Sequence, residues 1–338
     1  MTDNPFATPQ VDELPRDRWG RPLIAPPDGG DPVAYTRAST IGGVLEDTYN
    51  IQKWFGRMVV LGMAKRKDLI ARAASIVDPD DRGSKKTLND IAERAKDSAA
   101  PSAAEIGSAI HAFTEAADSG ADLSSVPDEY LPDIMAYTKL REDMGLEVTS
   151  MEQFVVIDED RVGGSYDRIY RLTKPITFQT LSGPVTLPED TYIIGDVKTG
   201  KNATLGAGKF AVQLGGYSRG KAYQHTDGSR KDLPPVNQDW AIVIHLPAGQ
   251  GVATAYALNI AAGYEVGMKL AHAVRAWRSR KDLIFGITSA SPAPTKPLTQ
   301  QINEATSVQE LNHIYFKNQH QWTPGLTSLA ASRKAELA

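Results

Sequence analysis

The chain has 338 residues, 41% of them hydrophobic, and 37 Lys and Arg against 41 Asp and Glu for a formal net charge of -4. It is long enough to bury a full core in one large domain with accessory elements, or in two domains, and too evenly charged for a basic blanket, so any nucleic-acid contact is confined to a local groove. The absence of cysteine excludes disulfides, thiolate zinc sites and cysteine-bound iron-sulfur clusters, which leaves oxygen and imidazole ligands for a metal and favours magnesium or manganese.

No apolar run reaches about eighteen residues, and MTDNPFATPQ lacks the basic and apolar blocks of a signal peptide, so a soluble, cytoplasmic chain without a membrane partner is expected. Residues 1–34 hold seven prolines (Pro5, Pro9, Pro15, Pro22, Pro26, Pro27, Pro32) and little periodic hydrophobicity, which reads as a disordered, extended arm. From Ser39 to about Met144 the pattern is helical. Within it PSAAEIGSAIHAFTEAAD opens with Pro101 and a Ser102/Glu105 capping box, and Ile106, Ile110, Phe113 and Ala117 form one apolar stripe. His111 lies about 140° round that helix from Ile106, off the stripe.

After Gly145 the period changes. MEQFVVID, SYDRIYRL, TYIIGDVK, WAIVIHL and ATAYALNI are short β-rich runs broken by turn residues. Helices are expected over GAGKFAVQLGGYSRGKAYQ and from about Ala261 to Lys281. SASPAPTKP (289–297) reads as a linker, followed by a helical pair around Ile302 to Phe316 and Leu326 to Leu337. The reading is an α/β chain: a mixed β-sheet core at about 100–285 flanked by helices, inside a domain at 35–288 with an N-terminal helical region, and a helical appendage at 298–338. No internal repeat is visible.

Chemistry concentrates in TYIIGDVKTGK, where an apolar strand ends in Asp196-Val197-Lys198. The two-residue period puts Asp196 and Lys198 on one face while Val197 points into the core. Earlier, GGSYDRIYRL places Asp167 in a second strand, where a neighbouring register would bring both carboxylates to one cation. Magnesium commonly takes one or two protein carboxylates and leaves its other positions to water and phosphate. Two aspartates and a lysine therefore suffice for phosphodiester hydrolysis, with the metal activating water and Lys198 orienting that water or offsetting charge in the transition state.

The order GSAIH, GGSYDRI, IIGDVKTGK and QLGGY resembles the RecB-like nucleases of the PD-(D/E)xK superfamily, which include the RecB and AddB nuclease domains, CRISPR-associated RecB-like exonucleases and many phage exonucleases. The match covers residues 100–260, with a weaker echo in YTRASTIGGVLEDTYNIQKWF. The resemblance implies a restriction-endonuclease-like core and a Mg2+- or Mn2+-dependent DNA nuclease, an exonuclease of recombination or repair. It implies His111 as a helix-borne metal ligand, Asp167 and Asp196 as the two carboxylates, the Val197 carbonyl as a further ligand and Lys198 as the catalytic lysine. Gln213 and Tyr217, spaced i,i+4, match the family's QxxxY element, which supports the site and contacts DNA. DNA is the implied substrate, and recombination proteins or other phage or host factors the implied partners, in a bacterial or phage-infected cell. Two departures stand out. The iron-sulfur cysteines of some relatives are missing, so no cluster is expected, and the Asp167 to Asp196 interval is long, which makes QTLSGPVTLPED an inserted hairpin.

Plainer readings compete. Asp-x-Lys at a strand end is commonly a solvated edge with a weak ion pair, and an off-stripe histidine is commonly exposed. Gln213 and Tyr217 could pack and hydrogen-bond inside the fold, and Glu152 reads as a surface residue. Arg275, Trp277, Arg278, Arg280 and Lys281 offer phosphate contacts with a stacking ring, or simply a solvated helix end. Gly195 to Asn202 fits GxxxxGK, but Asn202 stands where a phosphate-binding loop needs serine or threonine, which disfavours a P-loop ATPase. The other rival is a non-catalytic DNA-binding protein of the same fold, which intact Asp167, Asp196 and Lys198 argue against.

Overall fold

The computed structural model describes residues 14–100, 103–283 and 296–337. The chain divides at Ser279/Arg280 into two compact units, rather than at the end of the expected 35–288 domain. The first unit opens with a small antiparallel ribbon, β1 (Leu23–Ile24) and β2 (Val33–Ala34), followed by β3 (Thr36–Arg37) and α1 (Ala38–Gly43). The disordered arm expected over 1–34 therefore gives way, from residue 14, to packed chain; residues 1–13 lie outside the described residues. The cause is Ile24, fully buried with Tyr35, Val156 and Tyr223, while Arg230 Nη2 donates to the Ala25 carbonyl at 2.7 Å. Pro22, Pro26, Pro27 and Pro32 flank these two-residue strands and interrupt no ladder between them.

Helices α2 (Tyr49–Lys65), α3 (Lys67–Ala74), α4 (Arg82–Ala99), α5 (Ala103–Asp118) and α6 (Leu131–Met144) follow, as the periodicity predicts. The capping residue expected at Ser102 lies outside the described residues. α2 and α4 approach closely at Gly62, where a Cβ would fall 1.7 Å from the Ala95 carbonyl oxygen. Small apolar contacts among Leu69, Ile91, Ala95, Val59 and Met63 hold this helical region together.

Next come β4 (Leu146–Met151), β5 (Phe154–Ile157), β6 (Val162–Ser165), β7 (Arg168–Leu172), β8 (Ile176–Thr180), β9 (Gly183–Leu187) and β10 (Tyr192–Lys198). The unit closes with α7 (Ala207–Tyr217), β11 (Lys221–Tyr223), β12 (Arg230–Asp232), β13 (Trp240–His245), β14 (Thr254–Asn259) and α8 (Ile260–Ala262), which runs through a π-helical stretch, Gly263–Met268, into α9 (Lys269–Arg278). Two five-stranded sheets result, ordered β14-β13-β10-β7-β4 and β12-β11-β5-β6-β3. Both are mixed: β10 runs parallel to β13 and β3 to β6, with the other neighbours antiparallel. The class is α/β with mixed sheets.

The first sheet is buried on both faces. Tyr170, Leu172, Ile193, Val197, Ile242 and Ile244 pack against Ile110 of α5 and Ile134 and Tyr137 of α6. Ile169, Ile194, Ala241 and Val243, alternating with them, pack on the opposite face against Ile41 of α1, Val212 and Tyr217 of α7 and Val155 of the second sheet. Each fully buried side chain of this size contributes about 1.5–3 kcal/mol. Gly195 makes room for this packing, since a Cβ there would lie 2.1 Å from the Tyr170 ring.

Three expectations change. Asp167 stands immediately before β7, not inside it. MEQFVVID divides at Glu152, whose φ of 49° ends β4 and starts a new strand. The helix expected across GAGKFAVQLGGYSRGKAYQ stops at Tyr217, and Lys221–Tyr223 joins the second sheet because Ala222 and Tyr223 are buried there. QTLSGPVTLPED falls within the hairpin β8–β9, its tip Leu181 fully exposed.

The second unit holds α10 (Leu298–Glu304), α11 (Val308–Lys317) and α12 (Pro324–Glu336) around Ile302, Ala305, Leu311 and Ile314. The expected pair becomes three because Ser307 caps α11, its Oγ accepting from the Glu310 N–H at 3.1 Å while Glu310 accepts from the Thr306 N–H at 2.8 Å. Most of the expected linker, residues 289–295, lies outside the described residues. Among the described residues no helix is long and apolar enough to cross a membrane.

Candidate active site

β10 is apolar and buried from Ile193 to Val197 and surfaces only at Lys198. The strand period then does what it must: Val197 sinks into the core, and Asp196 and Lys198 share the other face. Their side chains touch, with Lys198 Nζ 2.5 Å from Asp196 Oδ2, and Asp196 is only 2% exposed. Phe210 of α7 lies 4.7 Å from the ammonium and confines it.

Antiparallel pairing of β7 with β10 matches Arg168 to Gly195, so Asp167 comes one step beyond the last pair, beside Asp196. Its Oδ2 accepts the Val197 N–H at 3.0 Å, which anchors the carboxylate to the strand carrying the other two groups. Burial pushes the Asp196 carboxyl up to about 7, Asp167 adds to the rise, and Lys198 opposes it.

From the other side α5 brings His111, whose Nδ1 stands 3.6 Å from Asp167 Oδ2. Burial holds this imidazole below its ordinary value, against the pull of Asp167 and of a hydrogen bond with the Val197 backbone. The helix that carries His111 is set by the stripe Ile106, Ile110, Phe113 and Ala117, which packs on the sheet as its spacing predicts.

Two further carboxyls join the cluster. Glu115 lies one turn after His111, and burial raises its carboxyl above the ordinary range, with Asp167 adding. Glu152, which solvent still reaches, is pushed up to about 8 by partial burial and then by the Asp167 and Glu115 charges. The two glutamates lie close enough to raise Glu152 further through the Glu115 charge. Sequence reasoning passed over Glu115, for which the i,i+4 spacing from His111 was a usable signal; Glu152, weighed as a helper of a second metal and then read as surface, is exposed as that reading expects.

Beneath the cluster lies Arg168, fully buried. Its Nε is 2.5 Å from Asp118 Oδ2, its Nη2 donates to Thr114 Oγ1 at 2.8 Å, and the Tyr137 hydroxyl donates to the same Asp118 oxygen at 2.7 Å. This guanidinium lowers the cost of ionising Asp196, Glu115 and Glu152 together.

Gln213 and Tyr217 face the site from α7. Gln213 Nε2 donates to the Tyr217 hydroxyl at 3.3 Å, and Tyr217 is buried against Gly164, where a Cβ would fall 2.4 Å from that hydroxyl. The ring packs inside, and burial raises its phenol. The GxxxxGK segment forms no phosphate cradle of its own: Lys201 is exposed, and Asn202 Oδ1 accepts the Thr204 N–H at 2.9 Å to start the turn into α7. In the basic cluster, Arg275 is tied down, Nη1 donating to Thr36 Oγ1 at 2.9 Å, and Arg280 pairs with Asp282.

Among the described residues no three His, Asp or Glu side chains already surround a point where an ion could sit. Lys198 occupies Asp196. The donor set nevertheless fits a hard divalent cation: carboxylates of Asp167 and Asp196, the imidazole of His111 and a raised, buried Asp196 that a cation would relieve. No protein-family model matches the sequence, and no curated protein matches it significantly.

Proposed function

We propose that this chain is a metal-dependent deoxyribonuclease with a restriction-endonuclease-like core of the RecB-like type, hydrolysing DNA phosphodiesters in recombination or repair. The observation that carries this reading is the end of β10, where Asp196, Lys198 and, through the Val197 N–H, Asp167 converge on one face beside His111. Asp167, Asp196, His111 and the Val197 carbonyl are the groups that would hold magnesium or manganese. Such an ion, when bound, supplies Lewis acidity toward the phosphodiester.

The chain's own groups do the rest. Asp196 gives up its attraction for the Lys198 ammonium, which is then free to orient a water and to offset charge gathering on the phosphate. Phe210 limits where that ammonium can travel. His111 presents a neutral imidazole, because burial keeps it unprotonated near neutral pH. Gln213, bonded to Tyr217, would contact the strand being cut.

The test is cleavage of end-labelled linear and closed circular DNA with magnesium, with manganese and with chelator. Metal-dependent loss of label from linear DNA is expected, and the circular substrate reports whether an end is needed. Lys198→Ala should lower cleavage by at least about a thousandfold while leaving DNA affinity within a few-fold, because the lysine acts on the transition state. Cleavage at the unmutated rate in that variant would remove the assignment.

A further inference from the structure

We infer that α2 carries a binding surface for single-stranded DNA, through Tyr49, Lys53 and Arg57; this rests on the nuclease reading. Charge is segregated along the chain. Residues 49–100 hold eleven Lys and Arg against seven Asp and Glu, whereas the rest holds 26 against 34. α2 itself has no acidic residue. The cations of the neighbouring helices are largely neutralised in place, Arg66 by Asp68, Arg72 and Arg94 by Asp90, and Lys96 by Glu93. Lys53 and Arg57 have no carboxylate partner among the described residues.

The apolar side chains of this helix are equally unusual. Tyr49 is 62% exposed and Val60 69% exposed, although a solvated helix would keep such residues inward. Positions 49, 53, 57 and 60 recur near the helical period, so ring, two cations and an aliphatic platform form one stripe, with the Lys53 ammonium 5.6 Å from the Tyr49 ring. They line a shallow groove of about 930 Å3 floored by Gly56. On the other side of the same helix Ile51 and Trp54 wall a second groove, of about 1190 Å3, whose far side is Leu205, Lys209 and Val212 of the turn into α7 and of α7 itself.

One ring beside two cations suits a strand whose bases are unstacked: phosphates meet Lys53 and Arg57 while a base face lies on Tyr49. A duplex shows no base faces to that ring. The experiment is fluorescence anisotropy of a labelled oligothymidylate with the whole chain in chelator, at several salt concentrations. Lys53→Gln/Arg57→Gln should weaken binding about tenfold at low salt and flatten the salt slope by about 1.4, the share of two phosphate contacts on a single strand. Tyr49→Ala should weaken binding by about tenfold. Gly56→Glu, which adds a like charge where a Cβ meets nothing within 4 Å, should weaken it without disturbing the fold. Unchanged affinity and slope in these variants would overturn the inference, as would a dimer that they dissociate, since a second copy would then cover the face. Because binding is read without metal, an unmutated chain that binds the strand yet never cuts it would overturn the nuclease reading alone.

Discussion

Asp196 shows how much a single position can carry. Its carboxylate is buried beside Asp167, and only Lys198 and the Arg168 beneath keep ionisation affordable. His111 differs, being partly exposed, with its Nδ1 3.6 Å from Asp167 Oδ2. His111→Ala should therefore weaken manganese binding and cleavage together, with partial rescue by excess manganese, which accepts imidazole more readily than magnesium does. Calorimetric titration of the metal checks this, and a melting temperature within a few degrees of the unmutated chain is expected. Unchanged metal affinity would take His111 out of the site. Gly195 is the opposite case, touching no reactant yet indispensable to packing. Gly195→Ala drives a methyl into the Tyr170 ring at 2.1 Å and should cost about 1–3 kcal/mol in denaturant unfolding.

Among the elements, α6 reaches beyond its own packing. Asp133, fully buried on it, accepts the Gly249 N–H at 2.6 Å and the Gly251 N–H at 2.7 Å and so fastens the turn between β13 and β14. That turn begins beside β10, with the Leu246 N–H donating to the Lys198 carbonyl at 2.9 Å. The brace steadies the strand that ends in Lys198. Asp133→Ala removes two charge-assisted bonds and should destabilise the chain by about 3 kcal/mol. Hydrogen exchange at Leu246 and Ala248 should quicken in step; protection equal to the unmutated chain would mean that the turn holds without the carboxylate.

For the whole molecule, the carboxyl cluster ties stability to pH. Asp196, raised to about 7, binds a proton in the fold more tightly than in the unfolded chain, so its contribution is full at low pH and is lost as pH rises through that value; Glu152, raised to about 8 but exposed, adds less because water screens it. His111, held below its ordinary value, acts in the other direction: its contribution is lost as pH falls through about 6.5, where the unfolded imidazole protonates. Metal-free protein should accordingly lose melting temperature between pH 6.5 and 8.5. Magnesium or manganese, replacing the protons, should restore most of that loss. A melting temperature flat across this range in chelator would show that the cluster is more open to water than its packing indicates.

Much of this protein is legible in the amino-acid sequence because period and chemistry are local properties. The stripe from Ile106 to Ala117, the face shared by Asp196 and Lys198 and the inward turn of Val197 all follow from residue spacing. The α/β class followed from the change of period after Gly145, and the expectation of a hairpin between Asp167 and Asp196 from the length of that interval. What spacing cannot carry is register and approach between distant segments. That Asp167 meets β10 through the Val197 N–H, that Glu115 and Glu152 come near Asp167, and that Arg168 and Asp118 lie beneath them depend on which strands pair and which helix face docks. The ordered residues 14–34 were hidden for the same reason: one isoleucine among prolines signals nothing until Tyr35, Val156 and Tyr223, up to about two hundred residues away, close around it.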